Sequence, residues 1–264
     1  MFEFKIATWN VNSLRVRLPH VLSWLKRAKP DVLALQETKL PDADFPIDAI
    51  REAGYEVVFS GQRTYNGVAI LSRKKATNII TDLPGLEDPQ RRVLAAVIDD
   101  IRILNVYIPN GESVDSAKYQ YKLNWLAKLD IFLKQELQKH PKLIVLGDFN
   151  IAPEEMDVHD PALWEGKVLF SEAERKAFQA MLEAGLNDCF RRLNHQEKKF
   201  SWWDYRMNAF KRNRGLRIDH ILVSHALVSK CHASYIDISP RLEDRPSDHA
   251  PVVAELTLEH GNGS

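Results

Sequence analysis

At 264 residues, 45% of them hydrophobic and 27% charged, the chain has the balance of a globular protein with a large core. No apolar run approaches the roughly 18 residues that a membrane span requires. Its 36 basic residues balance 36 acidic ones, so no global positive field marks a nucleic-acid partner, and such a partner has to be sought in how the charge is distributed.

The first predicted strand, FKIATWN, ends on Asn10. Leu18, Val21, Leu22 and Leu25 then form a helical stripe that Pro30 stops. A second strand, DVLALQE, delivers Glu37 with Lys39 two residues on, and GVAILS and RVLAAVI follow as short apolar strands. IRILNVYIP reaches Tyr107, with Asn110 just beyond. Leucines at 126, 129, 133 and 137, three or four apart, predict a helix within 117–140. KLIVLGDFN ends in Asp148 and Asn150, and Ser171 with Glu174 three positions later reads as a capping box opening a helix over 171–184. LRIDHILVS, carrying Asp219, and APVVAELTL are the last strands. The mixture is α/β, and the absence of a linker or repeat suggests one domain over 1–258 with a tail at 259–264. Cys189 and Cys231 are too few for a disulfide framework and lack metal spacing. Together with an N-terminus, MFEFKIATWN, that is not laid out like a signal peptide, they lead to the expectation of a cytoplasmic protein.

The chemistry lies where polar residues interrupt strand ends: Asn10, Glu37, Tyr107, Asp148 and Asp219. Each has a local explanation, such as a cap for Asn10, a Lys39 partner for Glu37 or an Asx turn for Asp148. Together they suggest one rim, since ligands of open α/β sheets bind beyond strand ends. Asp, Glu and Asn without Cys form a hard-oxygen set, which suits Mg²⁺ or Mn²⁺ and points to phosphate esters. SDHAP, at 247–251, adds Asp248 and His249, for which Asp219 is a candidate partner. From Arg191 to Arg217, basic residues interleave with Phe200, Trp202, Trp203, Tyr205 and Phe210, a pattern that either stacks on nucleic acid or packs.

LQETK (35–39), GDFN (147–150), GLRID (215–219) and SDHAP resemble, in that order, the motifs of the exonuclease III family of apurinic/apyrimidinic endonucleases, part of the endonuclease/exonuclease/phosphatase superfamily. TWNVNSLR, YIPNG (107–111) and the block FSWWDYR to NRGLRID (200–219) resemble it too. The resemblance implies a four-layer α/β sandwich, two packed mixed β-sheets flanked by helices. It implies Glu37 as principal metal ligand, with Asn10, Asp148, Asn150, Asp248 and His249 around one or two Mg²⁺ positions and Mn²⁺ as a substitute. Tyr107 matches the catalytic tyrosine and Asp219 the aspartate that orients His249, while Asn110 matches a DNA contact. Trp202, Leu216 and Ile218 match a pocket for an extruded base-free sugar, and Arg15, Lys39, Arg92 and Arg206 are candidate backbone contacts. Ser13 stands where relatives often carry Gly, which leaves the turn after Asn12 open. The implied activity is hydrolysis 5′ of abasic sites in double-stranded DNA, with 3′-to-5′ exonuclease and 3′-end trimming, by a monomer. Whether Asp148 or His249 serves as base stays open. A cousin acting on another phosphodiester, such as a lipid or inositol phosphate, is the alternative; it would need a multi-phosphate basic pocket or an apolar membrane hairpin, and the sequence shows neither.

Overall fold

A computed structural model describes residues 1–259; of the tail expected at 259–264, residues 260–264 lie outside them. In chain order the elements are β1 (Phe2–Asn10), α1 (Leu14–Ala28), β2 (Val32–Gln36), α2 (Ile47–Glu52), β3 (Glu56–Ser60), β4 (Val68–Ser72), β5 (Thr77–Ile80), β6 (Val93–Ile98) and β7 (Ile101–Tyr107). Then follow α3 (Ala117–Lys139), β8 (Leu143–Asp148), α4 (Pro161–Trp164), α5 (Glu172–Glu183), β9 (Leu186–Asp188), α6 (Cys189–Leu193), β10 (Trp202–Trp203) and β11 (Gly215–Leu216). The last are β12 (Asp219–Ser224), α7 (His225–Val228), β13 (Cys231–Ile236) and β14 (Val252–Leu258). All eight strands expected from apolar runs form, and the Ser171–Glu174 capping box closes as expected.

Two six-stranded sheets run β13-β14-β1-β2-β4-β3 and β5-β6-β7-β8-β12-β9. The first interleaves strands from both ends of the chain. Each is mixed: β1 and β2, and β7 and β8, are parallel, whereas the remaining neighbours are antiparallel. Phe4, Ile6, Val32, Ile70, Leu94, Ile103, Ile144 and Ile221 fill the space between the sheets. The outer face of the first sheet is covered by α1 and α2 through Leu14, Val21, Trp24 and Ile50, and that of the second by α3 and α5 through Trp125, Leu129, Leu133 and Phe178. The result is a four-layer sandwich in which helices and the facing sheet cover both faces of the continuously apolar central strands.

At one end of the sandwich the apolar filling gives way to hydrogen bonds between the sheets. Buried Asn105 on β7 donates to the carbonyls of Leu35 and Ala69 at 2.9 Å each, and Gln36 on β2 donates to Asn105 Oδ1 at 2.8 Å. These bonds fix the ends of β2 and β7, and hence Glu37 and Tyr107, against each other. Next to them β7 and β8 run so close that a Cβ on Gly147 would sit 1.9 Å from the Val106 carbonyl oxygen, at φ +149°, so only glycine fits.

Candidate active site

Strand register assembles the rim. Tyr107 on β7 and Asp219 on β12 both pair with Asp148 on β8, one from each side. Asp219 opens its strand instead of ending it, as the sequence suggested; because β12 is antiparallel to β8, its start lies at the same edge. From the other sheet come Asn10, at the end of β1, and Glu37, one residue past β2. His249 arrives on the loop before β14, pinned where Ser247 Oγ donates to the Asn10 carbonyl at 2.7 Å and Trp9 Nε1 to the His249 carbonyl at 3.2 Å.

Ligand atoms of Glu37, Asp148 and His249 lie within 4.8 Å of one another. Two carboxylates and an imidazole at that spacing fit a divalent cation with a preference for oxygen. Asn10 lies between the two carboxylates: its Oδ1 accepts the Asn12 N–H at 3.0 Å, and its amide nitrogen donates to Glu37 at 2.6 Å and Asp148 at 2.9 Å. The Asp248 carboxylate accepts from Trp202 Nε1 at 3.0 Å and Asn12 Nδ2 at 3.2 Å. Asn150 commits an N–H to the Ile108 carbonyl at 2.9 Å and faces Asn110 Nδ2 at 3.4 Å.

Left-handed backbone recurs around the rim at non-glycine residues: Asn12 (φ 45°), Ser13 (88°), Glu37 (52°), Lys39 (54°) and Asn150 (49°). Such conformations cost about 1–3 kcal/mol each and cluster at functional sites. Ser13 therefore adopts a backbone conformation that ordinarily favours glycine.

Burial dominates the electrostatics. It raises Asp148 to about 7, with Asp219 and Glu37 reinforcing the shift and His249 opposing it. Burial alone would lower His249, but the carboxylates of Asp219 and Asp148 outweigh it and raise the imidazole to about 10. His249 Nδ1 stands 2.8 Å from Asp219 Oδ2 and Nε2 3.7 Å from Asp148 Oδ2, the arrangement of an imidazolium between two acids. Tyr107 is held well above its ordinary value, first by burial and then by the adjacent Glu37, so its phenol keeps its proton.

The expected DNA contacts divide. Lys39 bonds Asn12 Oδ1 at 2.7 Å and pairs with Glu37 at 3.4 Å, so the local explanation for Glu37 also holds. Arg92 stacks on the Tyr107 ring at 4.6 Å beside a cleft of about 640 Å³ that Asn110, Tyr65, Lys118 and Tyr121 also line. Arg15 and Arg206 are exposed, paired with Asp44 and Asp204. Leu216 and Ile218 have almost no exposed surface and pack with Val158, Leu169 and Phe170; of the three residues expected to form a sugar pocket, only half-buried Trp202 is reachable. The basic and aromatic run also splits. Phe200 and Trp203 form a small core with Ala250, and Arg217 is buried between Asp157 and Asp188, whereas Tyr205, Met207, Lys211, Arg212 and Arg214 face solvent.

The sequence reading missed three features: the Gln36–Asn105 bond, the ion cluster around Arg217, and a buried Lys122–Glu174 pair. The i, i+3 spacing from Ser171 to Glu174 marked Glu174 as a cap but gave no sign of its second partner.

The chain belongs to the endonuclease/exonuclease/phosphatase family, whose profile matches residues 7–249. It is 38% identical to exodeoxyribonuclease III of Haemophilus influenzae over 96% of this chain and 99% of that one. Among solved structures it is similar to a 3′ phosphatase from Neisseria bound to a product DNA hairpin (48% identity, TM-score 0.95, 97% of this chain and 100% of that one). It is also similar to an AP endonuclease from Archaeoglobus fulgidus (40% identity, TM-score 0.94, the same coverage).

Proposed function

We propose that the protein is a DNA-repair nuclease. With Mg²⁺, or Mn²⁺ in its place, it hydrolyses the phosphodiester 5′ of an abasic site in double-stranded DNA, leaving a 3′-hydroxyl, and it removes nucleotides and blocking groups from 3′ ends in the same site. The observation that carries this reading is the convergence of Glu37, Asp148 and His249, with Asp219 behind the imidazole, in a chain that matches DNA-processing relatives over nearly its full length.

Glu37 and Asp148 are the carboxylates that would hold the cation, whose chemistry is to neutralise charge on the phosphate. The remaining roles fall to the chain itself. Asp219, 2.8 Å from Nδ1, and Asp148 both favour the protonated imidazole, so we read His249 as the donor that meets a phosphoryl oxygen through Nε2. Asp148, buried at the centre of the rim and bonded by Asn10 and the Asn150 N–H, is our choice for the base that takes the proton of the attacking water. Tyr107, still protonated, supplies a further donor. Lys39, Arg92 and the exposed Arg206 provide the positive charge that follows the DNA backbone.

Three duplexes test the reading: one with an internal abasic site, one ending in a 3′-phosphate and one with a plain 3′ end, each with Mg²⁺, with Mn²⁺ or with chelator. Metal-dependent cleavage at the abasic site and release of the 3′ group are expected. No turnover of any duplex with either metal overturns the reading, and turnover of inositol phosphates instead would move the protein to the alternative class. Size-exclusion chromatography with light scattering tests the accompanying proposal of a monomer.

A further inference from the structure

Beneath the rim lies a charged pair that this chemistry does not use. Lys122 on α3 and Glu174 on α5 are both fully buried and hydrogen-bonded to each other. Lys122 Nζ also donates to the carbonyls of Asn150 at 2.6 Å and Asn110 at 3.1 Å, so all three of its N–H donors are used. Glu174 is equally saturated, accepting the Leu169 N–H at 3.0 Å and both the N–H and the hydroxyl of Ser171 at 3.0 and 2.6 Å.

An ion pair this deep is a poor source of stability, because apolar side chains of the same volume do as well or better. Where its bonds go accounts for it more directly. Asn150 sits at φ 49°, and its own N–H donates to Asp148 Oδ1 at 3.0 Å. The residue is thus gripped at both ends, by the Asp148 carboxylate on its nitrogen and by Lys122 on its carbonyl. Released from Lys122, Asn150 would relax toward an ordinary conformation and carry its N–H away from Asp148. We propose that Lys122, fixed by Glu174, is a positioning residue for the reaction: it holds Asn150 in the left-handed conformation and so aims the Asp148 carboxylate, without touching substrate. This inference rests on reading Asp148 as the base.

The test uses the full chain with Lys122→Met and Glu174→Gln combined, which keeps both volumes and removes both charges. On the abasic-site duplex with Mg²⁺, kcat is expected to fall about 10- to 100-fold while KM stays within about threefold. Asn150→Ala is expected to cost less in this background than in the wild type, because coupled residues are not additive. Hydrogen exchange supplies a readout independent of activity: the amides of 148–152 should exchange at least about tenfold faster, with the rest of β8 unchanged. Unchanged kcat, full multiplication of the two effects, or unchanged exchange at 148–152 overturns the proposal. If the combined variant does not fold, Lys122→Gln, which can still bond Glu174 but cannot serve two carbonyls, is expected to give the same loss in kcat, and an unaltered kcat rejects the idea. Failure of the wild type to cleave would strike the proposed function, whereas the exchange measurement judges the positioning role in either case.

Discussion

The rim of strand ends and the segment from Phe200 to Arg217 both concentrate charge, but they hold it in opposite ways. At the rim, Asp148, Asp219 and His249 are buried, their positions set by sheet register and by bonds from residues far away in sequence. In the segment, Phe200, Trp203 and Phe210 pack into a small core of their own while Tyr205, Arg206, Lys211, Arg212 and Arg214 extend into solvent. Burial turns a few charges into strong, fixed fields with altered proton affinities; exposure leaves many charges weak, screened and interchangeable. Chemistry should therefore fail sharply when a rim residue changes, and affinity should fade gradually when a segment residue does.

The sharpest test of that contrast is Asp148→Asn, which keeps the shape and removes the base. It is expected to lower kcat by about 10²- to 10⁴-fold with duplex affinity, measured by fluorescence anisotropy, little changed. Near-normal turnover would show that the rim does not work as described. Next is the buried layer under the rim. His220 bonds the Ile151 carbonyl through Nε2 at 2.7 Å and faces Arg217 through Nδ1 at 3.1 Å, so the ring is neutral, with its proton on Nε2. Burial, aided by Arg217, lowers it from 6.5 to about 4. The fold prefers the neutral ring, so this stability is present above pH 6.5 and is lost as the pH falls toward 4, to a total of about 3 kcal/mol. Chemical denaturation across that window should show a steeper acid loss for the wild type than for His220→Gln.

Asp219→Asn is expected to cost about 10- to 100-fold in kcat and to shift the pH profile. Because Asp219 helps keep His249 protonated up to about 10, its removal should move the alkaline limb to lower pH; an unmoved limb would separate the two residues functionally. The smallest effect belongs to the segment. Arg206→Ala, which breaks only an exposed pair with Asp204, should weaken duplex binding a few-fold, reduce the salt dependence by about one unit of slope and leave kcat and melting within experimental error.

Glu37, Asp148, Asp219 and His249 were legible in the sequence because, although each alone has a local explanation, so many carboxylates and an imidazole at the ends of separate apolar strands are hard to explain one by one. The fold was legible for the same reason: the eight strong strands are apolar throughout. Strands β3, β5 and β13, half exposed and mixed in composition, carry no such signal. Lys122 was hidden because a lysine on a long amphipathic helix reads as solvent-facing, and only the tertiary meeting of α3 with α5 buries it. Arg217 misled in the other direction, since a basic run says nothing about which members find acids. The orientation of Asn10 was beyond reach, because it depends on a backbone N–H two residues away.

The seam of Asn105 and Gln36 has one more consequence. A sandwich held mainly by hydrocarbon can slide; hydrogen-bonded amides cannot without breaking, so the end that carries the rim is the latched end. On warming, fraying should begin at the opposite edge, among the strands farthest from the latch. Catalytic competence should then persist until the whole domain melts, and heat inactivation and unfolding should be one event.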